Sequence, residues 1–259
     1  MKPALRNRIL LSAALLLALG CNALAASPTP TPVPSMTPVP VPLYKQVTLT
    51  SQPSQKNVQP ANYQLSVQTP VLAGSADPRV KTFNDEIQML ITKAVADYEA
   101  NLSSAPASPV AANSFFDVKY MLVSPPGNLF SIRFETLEYV SGAAHPYQLH
   151  HAFNYDLERG RDVALGDLFL SGSDFLGTIS KYCAAQLASR DIDFKDFSQG
   201  ADPTPDNYKN WNITPDGLLT TFDEYQVAPY AAGPQTVTVP YPLLKSMIDP
   251  KGALAGFVK

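Results

Sequence analysis

The chain has 259 residues, 19 of them basic and 22 acidic, for a net charge of −3. That length holds one large domain or two small ones, and the near-balanced charge supplies no cationic field for a phosphate backbone, which excludes nucleic acid as a partner. Of the two cysteines, Cys21 falls inside an export signal, so a soluble mature form keeps only Cys183 and no intramolecular disulfide is expected.

Lys2, Arg6 and Arg8 precede an apolar run from Ile9 to Leu19 and then GCNALAA, the layout of a secretory signal. The run is far short of the ~20 residues needed to cross a ~30 Å hydrocarbon core. Two ends to the signal stay open. Ala23 and Ala25 put small residues where a soluble-type signal peptidase reads, which makes Ala26 the first mature residue; alternatively ALGC resembles a lipoprotein box and Cys21 is lipidated. From Ser27 to Pro42 the chain reads SPTPTPVPSMTPVPVP. Proline at nearly every second position forbids helix and sheet ladders and favours extended polyproline II, a stalk spanning roughly 50 Å.

The expected organisation is a signal peptide over 1–25, a disordered proline-rich linker over 26–44, an α+β domain over 45–250 and a tail over 251–259. The domain has 45–110 and 111–250 as candidate subdomains. Alternation in YQLSVQTPVL (63–72) marks a half-buried strand. Asp77 as N-cap and Pro78 in the first turn open a helix whose apolar stripe runs from Val80 through Phe83, Ile87, Ile91 and Tyr98 to Leu102. FFDVKYMLV (115–123) and LFSIRFETLEYV (129–140) flank SPPGN and predict an antiparallel hairpin. YQLHHAFNYDL follows as a third strand.

A second amphipathic helix carries Phe175, Leu176, Ile179, Tyr182, Cys183 and Leu187 on one stripe. Cys183 in that pattern reads as a small buried hydrophobe. An irregular loop is expected from Asp191 to Asn207, then strands at YKNWNIT, LLTTFDEY and TVTVPY and a short helix at PLLKSMI. Strands and helices do not alternate regularly. The fold class is therefore α+β: an antiparallel sheet packed against two main amphipathic helices, one compact region after the stalk.

No complete catalytic constellation is present. His145, His150 and His151 share one stretch, but strand neighbours point to opposite faces, so His150 and His151 do not reach one ion, and no metal or other cofactor is expected. TTFDEY resembles the start of polysaccharide deacetylases, yet no histidine follows residue 151 to supply the metal ligands. Ser141 and His145 lack a GxSxG elbow. Asp223–Glu224 and Glu135–Glu138 read as solvated faces. The remaining candidate is YQVAPYAAGPQTVTVPY (225–241), a loop held by Pro229 and turned at Gly233, whose Tyr225 and Tyr230 are suited to anchoring a ligand.

The segments SGAAHPYQLHHAFNYDLERGRDVALGDLF and ITPDGLLTTFDEYQVAPYAAGPQTVTVPYPLL together resemble the extracytoplasmic domain of lysozyme-sensing anti-sigma factors. The same domain is found as the non-catalytic half of a peptidoglycan deacetylase. The resemblance covers roughly 45–248. It implies an α+β fold and, for the sensor branch, a protein ligand, lysozyme. Carried over by motif position are the binding candidates His145, Tyr225 and Tyr230 and the structural positions Gly142, Pro229 and Gly233. The reading is an exported, non-enzymatic envelope module, periplasmic or extracellular, that recognises a lysozyme-like protein or peptidoglycan and touches the membrane only through a lipid on Cys21. Its rivals are a small hydrolase using His145 with a carboxylate, and a purely structural domain.

Overall fold

The computed structural model describes residues 40–59, 62–104 and 113–256. The signal sequence, with Cys21, Ala25 and Ala26, and the stalk up to residue 39 lie outside the described residues. After Pro42 a single 3-10 turn, Leu43–Lys45, leads into the first strand.

Six strands form one sheet in chain order: β1 (Thr48–Val58), β2 (Tyr63–Ala73), β3 (Ser114–Leu122), β4 (Leu129–Tyr139), β5 (Tyr147–Asp156) and the two-residue β6 (Arg161–Asp162). Every pairing is antiparallel except β2 with β3, which run parallel from Tyr63↔Ser114 to Val67↔Val118. The parallel step exists because α1 (Pro78–Ser104) carries the chain back between them; a parallel pair needs such a crossover. β1 has no counterpart in the sequence reading. Its TLTSQPSQKNV is exposed at nearly every position, so it shows no alternation and is held by zipping onto β2 from Thr48↔Ala73 to Val58↔Tyr63.

α1 starts as its sequence dictates: the Asp77 carboxylate accepts the Arg79 backbone N–H at 2.9 Å and is gripped by the Arg79 guanidinium. Its stripe of Val80, Phe83, Ile87, Ile91 and Tyr98 covers one sheet face, meeting Phe116, Val118, Phe130, Ile132, Phe134, Phe153 and Tyr155. Phe83 is fully buried and sits edge-on to Phe130, Phe153 and Tyr155 at centroid distances of 5.7, 5.5 and 5.3 Å, the geometry aromatic quadrupoles favour.

A second sheet of β7 (Trp211–Ile213), β8 (Gly217–Phe222) and β9 (Gln235–Pro240) packs with α2 (Phe175–Ala188) and the short α3 (Tyr241–Leu244) around its own apolar core. The segment expected to be an irregular loop carries two 3-10 helices, Phe194–Ala201 and Pro205–Tyr208. Their Phe194, Ala201 and Tyr208 are buried in that core, so tertiary packing orders a stretch that lacks helical periodicity. The architecture is α+β, as expected.

The two cores meet across a polar seam. Ser131 Oγ donates to Asn154 Oδ1 at 2.5 Å and accepts from Asn212 Nδ2 and the Ile213 N–H, each at 2.9 Å. Asn154 Nδ2 donates to the Trp211 carbonyl at 2.8 Å. All three polar side chains are buried. Such a network fixes how the second sheet sits beneath β4 and β5, because a shift would leave buried groups unpaired.

Candidate functional site: an aromatic platform at the end of the large sheet

After Tyr139 the chain leaves β4 and turns where Gly142 adopts φ 97°, a left-handed value that side chains disfavour. It returns through His145 and Pro146 into β5. From the other sheet, β8 ends at Phe222 and runs into Asp223, Glu224 and Tyr225. Tyr225 itself holds φ 65°, an uncommon left-handed conformation for a bulky residue. Pro229 then leads a 3-10 turn, Tyr230–Ala232, which ends at Gly233 with φ 64°.

These two segments meet. The His145 ring stacks on Tyr230 at a centroid distance of 3.7 Å, and its Nε2 lies 3.2 Å from the Tyr225 hydroxyl. Its Nδ1 faces the Pro146 carbonyl at 3.0 Å. A carbonyl only accepts, so Nδ1 donates to it, and when the ring is neutral Nε2 is left to accept from the Tyr225 hydroxyl. The Tyr230 hydroxyl donates to the same carbonyl at 3.2 Å. Partial burial, followed by the Glu224 carboxylate and the neighbouring tyrosines, raises the Tyr230 phenol above its ordinary range. Tyr147 adds a fourth ring 5.0 Å from His145. Tyr147 and Tyr225 remain 43% and 47% exposed, so the cluster presents aromatic surface to solvent.

Three of the candidates, His145, Tyr225 and Tyr230, are therefore brought together, with Gly142, Pro229 and Gly233 shaping the turns that carry them. The carboxylate-paired histidine, however, is His150. Asp223 Oδ1 accepts from both the His150 backbone N–H at 2.9 Å and the imidazole Nδ1 at 2.8 Å, while Asn210 Nδ2 donates to Oδ2 at 3.0 Å. The His150 side chain is only 1% exposed, and among the described residues its Nε2 has no hydrogen-bond partner. Glu224 Oε2 accepts the Gln148 N–H at 3.2 Å. The expectation that Asp223–Glu224 form a solvated face is corrected: both are spent on the edge of β5.

His151 points to the opposite face, as strand alternation requires, and lines a cavity of about 420 Å³ with Glu86, Asp162 and Trp211. His151 is exposed at the rim of this cavity; desolvation by its surroundings foremost, then Lys209, lowers its pKa, whereas desolvation and then Asp162 raise that of Glu86. Among the described residues, no group of three His, Cys, Asp or Glu side chains is arranged to hold a metal ion. Cys183 is fully buried, which pushes its thiol up to about 12. Sequence reasoning missed Tyr147, His150, Asp223 and Glu224 as parts of this region. Tyr147 alone had a local signal, an aromatic residue at the strand start beside His145.

Residues 166–242 match the family described as "Protein of unknown function (DUF3298)". Over 159 residues the chain is 25% identical to the peptidoglycan-N-acetylmuramic acid deacetylase PdaC of Bacillus subtilis, covering 60% of this chain and 34% of that one. It is 32% identical over 102 residues to the esterase Rv3036c of Mycobacterium tuberculosis, covering 38% of this chain and 44% of that one. The chain thus spans well under two thirds of these relatives. A crystal structure of a DUF3298-family protein from Bacteroides fragilis superposes with a TM-score of 0.59 at 17% identity, over 82% of this chain and 96% of that one, and shows the shared fold. The resemblance to the deacetylase-associated domain drawn from the sequence holds. Among the described residues no helix is long and apolar enough to cross a membrane.

Proposed function

We propose that the protein is an exported, non-enzymatic binding module of the bacterial cell envelope that takes a wall glycan on the platform of His145, Tyr147, Tyr225 and Tyr230. The observation that carries this reading is the exposed aromatic cluster itself, with His145 fixed between Tyr225 and Tyr230. Tyrosine rings bury large flat areas at small entropic cost, and their faces match the C–H faces of pyranose rings. The similarity to a deacetylase named for peptidoglycan supports the same ligand class. The residue pattern over 1–25, basic side chains and then an apolar run, supports export.

The similarity to an esterase favours hydrolysis as the second reading. Against it, the histidine oriented by a carboxylate is His150, whose imidazole is sealed from solvent, and His145 spends its ring nitrogens on Pro146 and Tyr225.

The test is retention of residues 43–259 on purified peptidoglycan, with immobilised lysozyme in parallel. Retention on peptidoglycan that is lost in Tyr230→Ala supports the reading. Capture by lysozyme alone moves the ligand class to a protein, and capture by neither removes the binding function and leaves a structural domain.

A further inference from the structure

We propose that Asp223 and Glu224 are positioning residues: a carboxylate latch on the open edge of β5 that sets the register between the His145 segment and the Tyr225–Tyr230 segment. β6 pairs only with Tyr155 and Asp156, so among the described residues the rest of β5 has no neighbouring strand on that side. Strand alternation aims the N–H groups of Gln148 and His150 out along this edge, where an unpaired row normally recruits another strand. Here side-chain carboxylates of two consecutive residues stand in for strand carbonyls, Asp223 on His150 at 2.9 Å and Glu224 on Gln148 at 3.2 Å.

Asp223 is held by three donors: the His150 N–H, the His150 imidazole and the Asn210 amide. Hydrogen bonds to a charged acceptor in a partly dry setting are the strong ones. From behind, Gln226 braces the same turn by accepting the Asp223 N–H at 3.2 Å and donating to the Gly200 and Asn207 carbonyls at 3.0 Å each. A Cβ on Gly200 would lie 1.7 Å from the Gln226 carbonyl oxygen, so that packing is tight. Tyr225 sits between latch and brace and carries a left-handed backbone, φ 65°. Two segments 80 residues apart are thereby registered before any ligand arrives.

Only the binding arm of the test rests on the proposed function. The full chain is followed by NMR through the His145 ring protons, shifted by the Tyr230 ring stacked on it, and by titration with purified peptidoglycan fragments. Asp223→Asn should return the His145 shift toward its unstacked value and weaken binding about tenfold, the size expected for losing hydrogen bonds to a charged group. Gln148→Pro removes one N–H from the edge, leaves both carboxylates, and should give a smaller change of the same kind. It decides the matter alone if Asp223→Asn does not fold. A native His145 shift in either variant overturns the latch. Lost binding with an unchanged shift also overturns it, because Asp223 would then be touching the ligand. If the unmodified protein binds no peptidoglycan, the proposed function falls while the His145 shift still decides the latch.

Discussion

The two faces of the large sheet are stabilised in different ways. Toward α1 the contact is almost wholly apolar, centred on Phe83 and its three edge-on aromatic neighbours. Beneath β4 and β5 it is polar: the buried Ser131, Asn154 and Asn212 form one hydrogen-bonded group, and the buried His150 pairs with the partly buried Asp223. Apolar burial supplies stability with little directional demand. Hydrogen bonds supply position, and the aromatic platform depends on position, because its halves come from different sheets.

Phe83→Ala should break the first face and give the largest loss, about 3–5 kcal/mol in chemical denaturation, since a large buried ring leaves a cavity that its neighbours do not fill. Asn212→Ala breaks the second face instead. It leaves Ser131 short of one donor, and the expected loss is about 1–3 kcal/mol, accompanied by displaced signals for His145 and Tyr230. Phe83→Ala should leave those platform signals in place as long as the protein stays folded. Equal disturbance of the platform by both variants would erase the distinction between the faces.

The smallest effect concerns pH. Asp77 is held down to about 2, first by its hydrogen bonds to Arg79. A carboxyl whose folded pKa lies below its unfolded value of about 3.9 stabilises the fold above that value and loses the contribution as pH falls toward 2. Acid titration of Asp77→Asn should therefore show a shallower loss of stability between about pH 4 and 2 than the parent protein. The same slope in both would detach the α1 cap from acid stability.

Much of the α1 face was legible in the sequence. Asp77, Pro78 and the stripe from Val80 to Tyr98 announce a capped amphipathic helix, and the alternation in 115–123 and 129–140 announces the β3–β4 hairpin. Both signals are local. β1 escaped because an exposed edge strand with Pro53 at its centre has no apolar period, and the 3-10 helices over 194–208 escaped because packing of Phe194 and Tyr208, rather than local propensity, orders them. The platform was legible by residue type, in His145, Tyr225 and Tyr230, but the contact joining them spans 80 residues. Asp223 looked like a solvated acid for the same reason: its partner, His150, lies 73 residues away and only the fold brings them together.

Tyr225 offers the most direct test that the platform binds wall glycan. It is 47% exposed and carries a left-handed backbone, a conformation that costs a non-glycine residue of order 1 kcal/mol. Replacing it with glycine removes the ring and relieves the backbone. Measured on purified peptidoglycan fragments, Tyr225→Gly should stay folded, the relieved backbone offsetting part of the lost hydrogen bond to His145, and bind about tenfold or more weakly. Unchanged affinity in a folded Tyr225→Gly protein would contradict the account.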